Sequence, residues 1–199
     1  MNEKTKNYFY EIPEGYETDY VIDAKDKKTS VLFTILSFVI TAIVFVILLA
    51  FKGFKLNFDI YNIKSVIALL IFAISIFLYL VLHELTHGLV YKITTKEKLT
   101  FGLTLTVAFC GVPNIYVKKK AMILSILAPF VVFTILSVVG LILTYNNDLY
   151  YTLVSGFFGL HLGGCIGDLY GSYIMIFKYH NKDILVNDNG PTQVFYVKK

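Results

Sequence analysis

The chain has 199 residues, 56% of them hydrophobic and only 16% charged. A soluble domain carries about a quarter charged residues, so the balance excludes an ordinary water-soluble globule and predicts an integral membrane protein. The net charge of +4 rests on 18 basic residues that are all lysine. They cluster beside apolar runs, where they set topology, so the expected partner is a lipid bilayer and a nucleic-acid partner is excluded.

Residues 1–30 mix acids, lysines and aromatic residues, with Ile12-Pro13-Glu14-Gly15-Tyr16 reading as a turn. They form an expected cytosolic N-terminal arm. No short apolar core with a small-residue cleavage site follows them, so the first hydrophobic run is expected to stay in place as a helix. That run, Val31 to Phe51, holds no charge and is long enough to span about 30 Å of hydrocarbon. A second helix is predicted from Ser65 to Tyr91, closed by Lys92 at the interface.

Between Lys92 and Lys120 six lysines bracket a middle that has none. Thr100 to Val107 alternates at strand period, Gly111-Val112-Pro113-Asn114 supplies a turn, and Ile115-Tyr116-Val117 would return. A β-hairpin or re-entrant segment over about 98–118 is expected, either cytosolic or dipping into the membrane. Ala121 to Tyr145 is a third apolar helix, kinked at Pro129. Leu149 to Phe177 is the fourth, with Gly159, Gly163, Gly167 and Gly171 as a four-residue ladder suited to close helix contact. Residues 179–199 form a polar cytosolic tail. The predicted fold class is thus an all-α polytopic membrane protein of four transmembrane helices, with membrane domain 31–178. Lysine counts place both termini and the hairpin in the cytosol.

Near the end of the second helix stand His83, Glu84 and His87 in an HExxH arrangement. Four residues apart on a helix, His83 and His87 point the same way and can share one metal ion. Glu84 suits a general base that takes a proton from a metal-activated water. No residue from Ser65 to Leu82 is charged, and ionisable groups at such depth default to function. A catalytic zinc takes three protein ligands and keeps one open position. Ile93 excludes a third histidine in the extended motif, and Glu97 lies beyond the membrane edge. Asp168, the only acid in the fourth helix, sits ten residues before Lys178, as His83 sits nine before Lys92. At 1.5 Å per residue the two are level, so Asp168 is the expected third ligand. His161 is two turns earlier, open between extra ligand, hydrogen-bonding support for a ligand, proton relay and packed core residue. Cys110 and Cys165 match no CxxC pattern, and no disulfide framework is expected.

With these residues in view, the chain resembles the site-2 protease class of intramembrane zinc proteases. More closely, His83-Glu84-Leu85-Thr86-His87-Gly88 followed by Gly167-Asp168-Leu169 is similar to a zincin peptidase family of small bacterial membrane proteins. The likeness covers roughly Ser65 to Lys178. It implies zinc as cofactor, His83, His87 and Asp168 as its ligands, and Glu84 as catalytic acid/base in a bacterial cell membrane. Site-2 proteases usually carry an Asn-Pro stretch before a Leu-Asp-Gly, whereas residues 162–169 here read LGGCIGDL. The groups that pair with a substrate backbone are therefore not matched.

The expected function is a membrane zinc endopeptidase acting on a peptide or membrane-protein substrate. The alternative is a non-catalytic zinc-binding membrane protein, such as a sensor, immunity or accessory component, whose zinc would gain a fourth side-chain ligand from His161 or Cys165. A transporter is the remaining reading, disfavoured by the lack of an inverted repeat.

Overall fold

The computed structural model describes residues 6–55, 58–103 and 108–199. Three apolar runs become unbroken helices, α1 (Lys27–Phe51), α2 (Ile63–Thr95) and α3 (Lys119–Thr144), each long and apolar enough to cross a membrane. Their ends follow from local chemistry. Asp26 caps α1 by accepting from the Thr29 amide at 2.9 Å, and Asn62 caps α2 through the Lys64 amide at 3.0 Å. Gly53, at φ +73°, turns the chain out of α1, a conformation glycine adopts without steric cost. Along α1, Leu32, Ile35, Phe38, Ile43 and Ile47 remain exposed, as a lipid-facing helix requires.

The fourth run departs from expectation. It is α4 (Asp148–Gly164) and α5 (Ile166–Tyr173), interrupted at Cys165 and continued by a π-helical turn over Ile174–Lys178. The adjacent Gly163 and Gly164 are poor helix formers and explain where the ladder of backbone bonds gives way.

Nor is the chain all-α. β1 (Tyr8–Phe9), β2 (Tyr16–Asp23), β5 (Tyr116–Lys118), β6 (Ile184–Asp188) and β7 (Thr192–Lys198) form an antiparallel sheet in the order β1-β5-β6-β7-β2. The arm, read as holding at most one strand, and the tail, strand-like over Val194 to Val197, thus pair with each other. Sequence patterning understated this because β1 and β5 are only two and three residues long, and such strands gain stability only by adding to neighbours. Asn189-Gly190, with Gly190 at φ +86°, makes the β6–β7 turn. At the β2 bulge, Asp19 is the unpaired residue, and it meets Lys178 at 2.8 Å and the Tyr179 hydroxyl at 2.5 Å.

The predicted hairpin also changes register. β3 (Thr100–Leu103) pairs with β4 (Ala108–Gly111) as a separate two-stranded unit, and Thr104–Val107, the rest of the expected first strand, lie outside the described residues. The segment expected to return, 115–117, leaves instead as β5 for the larger sheet, where Val117 is fully buried opposite Val186. That burial outweighs what a return onto β3 would offer.

The chain forms two compact units, one within residues 1–32, 83–129 and 167–199, the other within 33–82 and 130–166. The first holds both sheets, the last part of α2 and nearly all of α5. The second holds most of α1 and α4. There Gly159 and Gly163 seat the α1 backbone: a Cβ on Gly159 would lie 2.8 Å from the Thr41 carbonyl, and one on Gly163 would strike the Ser37 carbonyl and Thr41 Oγ1. The glycine ladder does not continue as one seam, since Gly171 belongs to the first unit and faces Gln193 of β7.

Candidate metal centre

His83, Glu84 and His87 occupy consecutive turns of α2 within the first unit, and their donor atoms all lie within 4.8 Å of one another. Both imidazoles are buried, at 7% and 6% exposure. Their ring centroids are 4.9 Å apart, as helical spacing dictates. From α5, in the same unit, Asp168 reaches both: Oδ2 is 3.2 Å from His83 Nε2 and Oδ1 is 3.5 Å from His87 Nε2. One carboxylate from a distant helix therefore bridges two imidazoles.

The spacing can be compared with what a metal would need. Zinc bonds of about 2.0–2.2 Å at tetrahedral angles set neighbouring donors roughly 3.3–3.5 Å apart. The two Asp168 contacts, at 3.2 and 3.5 Å and made by its two oxygens, lie close to that separation, and two imidazole nitrogens with one carboxylate form a donor set that zinc accepts. The residues present fit the ion.

The remaining nitrogen of His87 is also accounted for. Nδ1 lies 2.9 Å from the Ser125 carbonyl oxygen of α3. A carbonyl can only accept, so Nδ1 carries a hydrogen, and Nε2 is the nitrogen that faces Asp168.

Glu84 has a different environment. Its carboxylate is partly buried and interacts with the backbone N–H of Cys110 in β4. The β3–β4 hairpin is held beside this part of α2 by Phe101, whose ring lies over Gly88, and against the β6–β7 turn by Phe109, whose ring lies between Gly102 and Gly190. Gly111 lets β4 pass the β6–β7 turn, where the Val112 amide donates to the Asp188 carbonyl at 2.8 Å.

His161 lies in the second unit, fully buried. Nδ1 is 3.0 Å from the Tyr79 hydroxyl, Nε2 is 3.1 Å from the Thr134 hydroxyl, and Cys165 Sγ is 3.6 Å from Nδ1. Phe130, Phe133 and Phe158 surround the ring. Both nitrogens thus have hydroxyl partners inside the helical unit.

Sequence reasoning did not reach Ser125, Cys110, Tyr91 or Asp188. Ser125 was legible in principle, because it stands four residues before Pro129. Tyr91 stands one turn past His87 on α2 and Cys110 lies in the expected hairpin segment, whereas Asp188 comes beside them only through the pairing of distant strands.

Residues 76–182 match the model of a family described as "Putative zincin peptidase". No curated protein and no solved structure matches the chain.

Proposed function

The chain belongs to this zincin peptidase family, and from that premise we propose that it is an integral-membrane zinc metalloendopeptidase of site-2 protease type, cleaving peptide bonds in membrane-associated or small peptide substrates. The observation that carries the reading is the Asp168 carboxylate within 3.2 and 3.5 Å of the two Nε2 atoms of the HExxH motif.

His83, His87 and Asp168 would hold the ion. Zinc bound there supplies a Lewis acid that polarises a peptide carbonyl and acidifies water. Glu84, beside the ligands but turned to the Cys110 amide, takes the proton from the attacking water and returns it to the leaving amine. Among the described residues β3 pairs only with β4, and the outer edge of β3 would offer main-chain groups for an extended substrate to join as a further strand.

Parity supports a reading of four membrane crossings. Strands of one sheet must share one side of a bilayer. The large sheet takes β1 and β2 from before α1, β5 from between α2 and α3, and β6 and β7 from beyond α5. If α3 crosses, the α4–α5 run must cross back. The opposite connections agree, since Lys52 after α1 pairs with Asp148 at the start of α4 at 3.2 Å. The lysine distribution makes the sheet side cytosolic.

The test is cleavage of a quenched peptide library and of a transmembrane reporter by purified, reconstituted protein. Wild-type protein should cleave with zinc, and Glu84→Gln should bind zinc yet lose at least about 100-fold in rate. Equal cleavage by both would reject the mechanism.

A further inference from the structure

Pro129 stands inside α3, in the first unit, without breaking it. In an α-helix the carbonyl of residue i−4 accepts from the amide of residue i, and proline has no amide hydrogen. The carbonyl four residues before Pro129 is that of Ser125, which accepts from Nδ1 of His87 at 2.9 Å. The Ser125 hydroxyl is engaged separately, with the Ala121 carbonyl at 3.0 Å.

We propose that Pro129 is a positioning residue for the metal centre: by withholding an amide hydrogen it leaves the Ser125 carbonyl free to fix the tautomer and ring orientation of His87. This inference rests on the metal-site reading given above.

The chemistry calls for such a device. A ligating imidazole needs its second nitrogen hydrogen-bonded, or the ring rotates and the wrong nitrogen carries the proton. His87 is 6% exposed, so water is a poor substitute. Every backbone carbonyl inside an unbroken helix is already committed to its own ladder, and adding a second donor to it yields a weaker, bent contact. A proline four residues downstream vacates one acceptor at a chosen height, and its ring pushes that carbonyl outward from the helix axis. On α3 the vacated carbonyl is the one that His87 uses.

Two substitutions separate the missing hydrogen from the proline ring. Pro129→Ala restores an amide that competes for the Ser125 carbonyl. Replacing residue 129 by lactic acid, an ester-linked analogue of alanine introduced by nonsense suppression, has the same side chain and no such hydrogen. Each is compared with wild-type full-length protein in detergent by two measurements. In zinc competition against a chelator, Pro129→Ala should weaken affinity by about 10-fold or more, and the lactate protein should stay within about threefold of wild type. In metal-free protein, the downfield His87 Nδ1 proton should be protected from exchange in wild-type and lactate proteins and lost in Pro129→Ala. Unchanged zinc affinity and proton protection in Pro129→Ala would overturn the proposal. So would equal losses in both variants, which would assign the effect to the ring. A wild-type protein that shows the protected proton but takes up no zinc would reject the metal-site reading while the Pro129–His87 relationship stands.

Discussion

The Tyr91 hydroxyl donates to the Asp188 carboxyl, joining α2 one turn beyond His87 to the end of β6. Both side chains are almost wholly buried, at 1% and 2% exposure, and the Gly190 amide donates to the other Asp188 oxygen at 2.9 Å. This contact ties the metal-bearing helix to the sheet.

Removing the hydroxyl leaves a buried acceptor short of a donor. Tyr91→Phe should therefore cost about 1–3 kcal/mol in unfolding free energy, measured by denaturant titration in mild detergent. A variant as stable as wild type would show that the contact does not hold the two elements together.

Burial pushes the Asp188 carboxyl up to about 6, against an ordinary value of 3.8, in spite of its two donors. The folded chain therefore keeps this proton over a range where the unfolded chain has released it. Its contribution to stability is full below about pH 4 and fades as pH rises to about 6, by at most ~3 kcal/mol. The difference between wild-type and Asp188→Asn stability, followed from pH 4 to 7, should show this slope. A constant difference would contradict it.

If Asp168 is the third ligand, Asp168→Ala should lower zinc affinity by about 100-fold or more while the protein still folds, because a neutral two-nitrogen site is a weak one. Elemental analysis after dialysis against a graded chelator reads this directly. Retention of wild-type stoichiometry would remove Asp168 from the ligand set.

His161 predicts the reverse pattern. His161→Ala removes the imidazole that the Tyr79 and Thr134 hydroxyls meet and opens a cavity, so stability should fall by about 2–4 kcal/mol with zinc content unchanged. Loss of zinc at intact stability would make it a ligand after all.

In the helical unit, Gly163→Ala places a methyl against the Ser37 carbonyl and Thr41 Oγ1 of α1. Backbone cannot yield as a side-chain tip does, so the variant should be destabilised by about 1–3 kcal/mol, whereas Gly164→Ala, whose Cβ meets only the Tyr79 hydroxyl at 3.7 Å, should be near neutral. Thermal unfolding of the pair in one detergent distinguishes them.

What the sequence discloses here divides along physical lines. Apolar runs of 18 or more residues announce α1, α2 and α3 because hydrocarbon thickness sets their length. The HExxH spacing places His83 and His87 together because helical periodicity is local, and depth counted from flanking lysines brings Asp168 level with them. The sheet escaped because its pairings join Tyr16 to Lys198, at opposite ends of the chain, and Tyr8 to Val117; no local period tells a strand which distant partner it has, and β1 and β5 are too short to show a period at all. The break at Cys165 was foreshadowed by Gly163-Gly164, but hydrophobicity alone runs straight through it.

The order of synthesis gives the terminal strands a further meaning. β7 is made last among the described elements, yet it lies inside the sheet that anchors Tyr91, flanked by β6 and β2. While the ribosome is still threading helices into the bilayer, β2 waits without its neighbour and Asp188 has not been made. A nascent chain therefore passes through the insertion machinery, among many unfolded peptides, before the support for its metal-bearing helix is complete.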